Sequence, residues 1–275
     1  FDFEHGRLDE SLHPFCGGVP EDVRITTRYN EDEFVQSLMG VIHETGHALY
    51  ERHLPADWRL QPVGQARGMV IHESQSLLME MQACRSAAFC KYLSGQLRQT
   101  FPGNDAAFTP DNLRRIYSRV QPGFIRVEAD EVTYPAHVIL RYRIEQALIR
   151  GDLKLADVPA AWNESFKQLL GLDVPSDREG CLQDIHWFDG AFGYFPCYSL
   201  GAMTAAQLFE AACQAKPGIP AEIEQGRFAT LQGWLHANVH ELGSSLSTRE
   251  IVTKATGRPL DIAVFKRHLA QRYLS

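Results

Sequence analysis

Residues 43 to 47 read His43-Glu44-Thr45-Gly46-His47, inside a run from Asn30 to about His53 that carries its apolar residues at helical spacing. Phe34, Leu38, Val41, Ile42, Ala48 and Leu49 supply the face that such a helix would bury. Asn30 followed by Glu33 predicts a capping box at its start. Two histidines four residues apart on an α-helix lie about one turn apart on the same side, so both imidazoles can reach one ion. Glu44, one position on, is placed to take a proton from a water beside that ion. The segment must therefore be helical, and a second element must pack on it to complete a metal site. The pattern points to a zinc hydrolase acting on peptides.

Bulk properties narrow the alternatives. At 275 residues and 44% hydrophobic, the chain is long enough for a sizeable core. The net charge is -7 and no Lys/Arg cluster occurs, which argues against nucleic acid or an anionic membrane surface as partner. No apolar run approaches the roughly 18 residues of a membrane span. The start, Phe1-Asp2-Phe3-Glu4, is no signal peptide and lacks an initiator Met, so the chain reads as a piece of something longer. Six cysteines, at 16, 84, 90, 181, 197 and 213, show no C-x-x-C spacing and read as free thiols in a reducing cytoplasm.

Helical periodicity dominates the rest. Patterns run from Met69 to about Leu97, from Thr109-Pro110 onward, and from Pro135 to Arg150 with Gly151 as a stop. Others run from Val158 to Leu170 before Gly171, from Thr204 to Ala215, from Phe228 to Leu242, from Thr248 to Ala255 before Gly257, and from Asp261 onward. Cys84 and Cys90 fall on one predicted helix and do not face each other. Val23 to Tyr29 and Gly123 to Val127 alternate like short strands. The expectation is a single catalytic domain over residues 1–275, mostly α, with a small β-hairpin near the metal.

A catalytic zinc needs a third protein ligand and an open position. Glu73 opens the next helical pattern and could return to the two histidines if the helices pack antiparallel. Taken alone it reads equally as a first-turn carboxylate favoured by the helix dipole. Its company changes the weighting. In order the chain contains His13-Pro14-Phe15, Asp22-Val23-Arg24-Ile25-Thr26, the His43–His47 motif and His72-Glu73-Ser74-Gln75-Ser76. It continues with Ile125-Arg126-Val127-Glu128-Ala129-Asp130 and then Gly180-Cys181-Leu182-Gln183-Asp184-Ile185-His186-Trp187. This ordered set resembles the M32 metallocarboxypeptidases, the carboxypeptidase Taq family.

The resemblance implies a helical gluzincin fold like that of neurolysin and angiotensin-converting enzyme, and release of single residues from peptide C-termini. It implies His43, His47 and Glu73 as ligands of Zn2+, with Co2+ as a substitute, and Glu44 as general base. Members are usually near twice this length, so the chain matches the C-terminal part and lacks the N-terminal helices. Cys16 stands where the first motif usually continues with Thr.

Recognition of a free C-terminal carboxylate suits Arg, whose planar fork pairs bidentately. Arg126 is the first choice and Arg24 the second. His13 either lines the cleft or orders the Pro14 turn. By analogy with related gluzincins, His186 and Tyr194 are expected as oxyanion donors, with Tyr198 sharing or replacing Tyr194. The expected partner is a peptide substrate, and the resemblance adds a homodimer as the assembly to test. Competing expectations are an endo-oligopeptidase of the same superfamily and a metal-binding but inactive remnant.

Overall fold

A computed structural model describes residues 1–103 and 106–274. The chain gathers into two compact units, one of Phe1–Tyr117 with Gly201–Ser275 and one of Ser118–Leu200. Among the described residues, no helix is long and apolar enough to cross a membrane.

The first unit opens with β1 (Gly6–Glu10), β2 (Cys16–Val19) and β3 (Asp22–Thr27) in the order β1-β3-β2. The expected hairpin is the antiparallel pair β2–β3, with Cys16 opposite Ile25; β1 adds a parallel strand on the other side of β3. β1 escapes sequence reading because Gly-Arg-Leu-Asp-Glu alternates too little to show a buried face. On β3, Val23 and Ile25 point inward and pack near Ala48, while Arg24 points to solvent.

α1 (Phe34–Arg52) follows and carries the two histidines. Its cap differs from expectation. Glu33, not Asn30, is the capping residue, its carboxylate accepting from Gln36 N at 2.9 Å. Asn30 is used one step earlier, its backbone paired with Glu33 and its side chain accepting from Asp32 N, so the capping box does not form.

The long pattern from Met69 to Leu97 is broken. α2 (Met69–Leu77) passes into a π-helical turn, Leu78–Ala83, and a fresh helix, α3 (Ala87–Thr100), starts beyond it. Ser86 supplies the new start by accepting from Phe89 N at 3.1 Å. Cys84 lies in the break, and all six cysteines are free. α4 (Pro110–Tyr117) has Pro at its first position, as expected.

The second unit contains α5 (Tyr134–Arg150) and α6 (Val158–Leu170). Gly151 and Gly171 end them in the left-handed region that favours glycine, at φ 79° and 75°. They pack through Leu140, Ile144, Trp162 and Phe166. Gly123–Val127 forms no strand. Residues 126–128 make a 3-10 turn instead, and the Arg126 N–H donates to the Gln183 side chain at 2.8 Å rather than to a neighbouring strand.

α7 (Pro196–Ala215) starts eight residues before the predicted Thr204, because Pro196 opens it. Its first turn belongs to the second unit and the remainder to the first. The first unit is completed by α8 (Ile219–Ile223), α9 (Ala229–Asn238), α10 (Thr248–Thr256) and α11 (Ile262–Tyr273). Ser247 and Glu250 form a capping box on α10, and Asp261 caps α11. The main core joins α1, α2 and α3 to α7 and α9 through Tyr50, Ile71, Leu78, Leu93, Leu208 and Leu235.

Candidate metal centre and its surroundings

α1 presents His43 and His47 side by side, with ring centroids 5.0 Å apart. α2 brings Glu73 to them. Glu73 Oε1 lies 3.7 Å from His43 Nε2, and Oε2 lies 3.6 Å from His47 Nε2. Among the described residues these three form the one group of His, Cys, Asp and Glu able to hold a metal ion. The spacing fits. Two ligand atoms each about 2.0–2.1 Å from a tetrahedral zinc stand roughly 3.4 Å apart.

Close backbone approach makes this possible. A Cβ on Gly46 would stand 2.5 Å from the Gln75 carbonyl oxygen and 2.6 Å from Ser76 Cα, so α2 could not lie this close to α1. Gly201 on α7 does the same behind the ligand, where a Cβ would meet Glu73 Cβ and Cγ at 2.9 Å. The candidate ligands His47 and Glu73 thus rest on helix crossings that only glycine permits.

The electrostatics also fit a cation. Glu44 is 6% exposed, and burial raises its pKa, with the nearby Glu73 and Glu80 carboxylates adding to that. Burial opposes charging His43, but its hydrogen bond with Glu80 and the field of Glu73 outweigh this and push it up to about 9. His47 moves the other way, held well below its usual value by burial and by the charge on His43. The buried carboxylates of Glu44 and Glu73 repel each other, and a divalent cation between the ligands would offset that repulsion.

Sequence reasoning passed over residues behind the ligands. Glu80 Oε2 accepts from His43 Nδ1 at 2.9 Å, and Arg85 Nη2 donates to the other Glu80 oxygen at 2.5 Å. Burial raises the Glu80 pKa, but Arg85 and His43 overcome it and bring it down to about 2. No spacing signal marks Glu80, because the π-helical turn Leu78–Ala83 shifts the helical phase between it and Glu73. His72, next to Glu73, lies against the back of His47, their ring centroids 4.6 Å apart.

The remaining predicted residues fall into two places. In the first unit, His13 Nδ1 pairs with the Pro14 carbonyl at 2.8 Å and also lowers the Glu44 pKa through space. Arg24 is exposed and bound to Asp22 at 2.7 Å. In the second unit, Arg126 is 4% exposed and donates to Asp184 Oδ1 at 2.6 Å and to the Tyr134 hydroxyl. Its guanidinium also lies over the Tyr198 ring, 4.8 Å from the centroid. Burial works against its charge, but Tyr134 and Asp184 more than restore it.

Arg141, unnoticed in the sequence, is fully buried and donates to Asp184 Oδ2 at 2.6 Å, so two guanidiniums share one carboxylate. His186 Nε2 is 3.0 Å from the Tyr198 hydroxyl, and Tyr194 packs 5.3 Å from the His186 ring. Burial and then the Arg126 charge depress the His186 pKa, which keeps its ring neutral at neutral pH. The structure therefore joins His43, His47, Glu73 and Glu44 in one unit, and Arg126, His186, Tyr194 and Tyr198 in the other.

Comparison with known proteins gives a consistent result. The family model for carboxypeptidase Taq (M32) metallopeptidases matches residues 1–273. The chain is 39% identical over 274 residues to carboxypeptidase 1 of Bacillus subtilis, covering 99% of this chain and 55% of that protein. Metallocarboxypeptidase 1 of Trypanosoma cruzi superposes with a TM-score of 0.96 at 49% identity, covering 100% of this chain and 58% of the other. The M32 carboxypeptidase of Deinococcus radiodurans gives 0.94 at 38% identity, over 100% and 56%. The chain thus spans a little over half the length of the relatives it matches.

Proposed function

The chain belongs to the carboxypeptidase Taq (M32) metallopeptidase family, and from that premise we propose that it is a zinc-dependent carboxypeptidase removing single residues from peptide C-termini. The observation that carries the reading is the buried His43–His47–Glu73 cluster with Glu44 beside it. Two imidazoles and one carboxylate are the donor set of hydrolytic zinc sites. A zinc ion held there would polarise the scissile carbonyl and lower the pKa of a water.

The protein's own groups do the rest. Glu44, its proton affinity raised by burial, accepts the proton of the attacking water and passes it to the leaving amine. Neutral His186 and the hydroxyls of Tyr194 and Tyr198 are the proposed donors to the developing oxyanion, on analogy with related gluzincins. Arg126 is the proposed receptor for the substrate carboxylate. Supporting this, Arg126 and Arg141 both pair with Asp184, so that two buried guanidiniums share one carboxylate. Arg24 serves as a second, solvent-exposed cation.

The test is release of C-terminal residues from matched short peptides with free and amidated C-termini, with Glu44→Gln as control. A carboxypeptidase trims the free peptide and leaves the amide intact. Equal turnover of both would assign the chain to the endo-oligopeptidases, and equal release by the parent chain and Glu44→Gln would remove the enzymatic reading.

A further inference from the structure

His47 has a neighbour that no hydrolytic step uses. Its Nδ1 lies 2.6 Å from Nδ1 of His72, and Nε2 of His72 lies 2.7 Å from Glu51 Oε1. Three groups thus stand in line, ending on a carboxylate. They come from the same two helices as the metal ligands. Glu51 is one turn beyond His47 on α1, and His72 immediately precedes Glu73 on α2. His47 is buried, and the side chains of His72 and Glu51 are 14% and 30% exposed.

The direction of this chain of hydrogen bonds is determined by its last member. A carboxylate accepts only, so the His72 nitrogen facing Glu51 carries the proton. The other nitrogen of a neutral His72 is then bare and must accept. Of the two facing Nδ1 atoms, the one that donates is therefore on His47. That leaves Nε2 of His47 as its bare nitrogen, and this is the atom 3.6 Å from Glu73 Oε2. The opposite polarity would put the proton on Nε2, where it would block a metal.

On the reading of His43, His47 and Glu73 as metal ligands, we propose that Glu51, acting through His72, holds His47 in the Nδ1-protonated tautomer that a metal requires. Glu51 and His72 are positioning residues. The two ligand imidazoles are thus set from behind by different devices. His43 is backed directly by Glu80, and His47 is backed by a carboxylate one imidazole away. Partners of this kind affect metal affinity about 10–100-fold.

The experiment uses the full chain, with Zn2+ affinity measured by competition with a chromophoric chelator for the parent, Glu51→Gln, His72→Phe and the double variant. Either single variant is expected to bind zinc about 10–100-fold more weakly. The double variant should be no weaker than His72→Phe, because Glu51 acts only through His72. In parallel, imidazole 15N spectra of the metal-free parent should show His47 protonated on Nδ1, and Glu51→Gln should show a mixture. The spectra of the parent need no variant to fold. Affinity within about threefold of the parent in both single variants, or His47 protonated on Nε2 in the parent, overturns the relay. A parent that binds no zinc but shows the Nδ1 tautomer overturns the ligand reading and leaves the relay standing.

Discussion

Glu44 and His137 show how far burial, with the charges around it, can set a residue's behaviour. Glu44 is a buried carboxylate among other carboxylates, so its proton affinity is raised above that of an ordinary glutamate, the direction that favours a base. Glu44→Gln keeps the shape and removes the base. Steady-state assays should show kcat reduced by about 10²–10⁴-fold, while zinc titration shows affinity nearly unchanged. His137 belongs to no catalytic group. On α5 it is fully buried against Phe166 of α6, neither ring nitrogen has a hydrogen-bond partner among the described residues, and burial followed by the charge of Arg141 lowers its pKa to about 4. Above its ordinary value of 6.5 the ring is neutral in both folded and unfolded chains and contributes no pH dependence. As pH falls below 6.5 the unfolded chain takes up a proton that the folded chain refuses, so stability is lost down to about pH 4. The loss amounts to about 3 kcal/mol. Urea unfolding at pH 7 and pH 4.5 should show that His137→Phe loses less stability across this interval than the parent. An equal loss in both would show that His137 does not carry it. Glu44 could be read from its place in the motif. His137 could not, because the buried face of α5 carries His137, Arg141 and Glu145 while Ile139, Tyr142 and Ile149 are exposed, so polarity does not mark that face.

At the scale of elements, the metal centre depends on how closely helices cross. Gly46 lies in the motif between ligand and ligand, but its role is to let the backbone of α2 pass at contact distance. Gly46→Ala would force α1 and α2 apart, and denaturant melts should show a loss of about 1–3 kcal/mol typical of overpacking. Gly201→Ala would press on Glu73 itself, so it should weaken zinc binding as well as stability. Gly233, in the middle of α9, is the contrasting case, for a Cβ there meets nothing within 4 Å. Gly233→Ala should stabilise by about 0.4–1 kcal/mol, with zinc affinity unchanged. These crossings explain what was legible. Helices that end at Gly151, Gly171 and Gly257 announce themselves through local chemistry, and α5, α6 and α10 match the expected spans within a residue or so. The π-helical turn after Leu77 does not. Leu78 and Met79 are buried on a pattern that continues helically, and the shift in phase is decided by packing against the core and by Glu80 reaching His43. Gly123–Val127 reads as a strand because Phe124, Ile125 and Val127 are apolar, but no strand neighbours it and the Gln183 side chain takes the Arg126 N–H instead.

At the scale of the whole molecule, four of the six short motifs supply two side-chain clusters, one in each compact unit, while His13 and Arg24 of the first two motifs lie exposed. The three candidate ligands could be named from the sequence, His43 and His47 by their helical spacing and Glu73 by the resemblance in motif order. Their supports could not, since Glu80, Arg85, Glu51 and Arg141 have no meaning until the helices are packed. The division into units has a thermodynamic consequence. All three candidate ligands lie in Phe1–Tyr117, on α1 and α2, which are among the helices that build the main core. A metal that binds only the folded chain stabilises it by RT ln(1 + [L]/Kd), about 2.7 kcal/mol at a hundredfold excess over Kd. For a chain of this length that corresponds to a rise in melting temperature of roughly 5–10 °C, removed by a chelator. The gain should also be local. Hydrogen exchange with and without zinc should show added protection in α1 and α2, where the ligands tie two helices together, and little change in α6 of the second unit, which supplies no ligand. Uniform protection across both units would mean that they unfold as one, and a melting temperature indifferent to zinc and chelator would remove the metal from the folding equilibrium altogether.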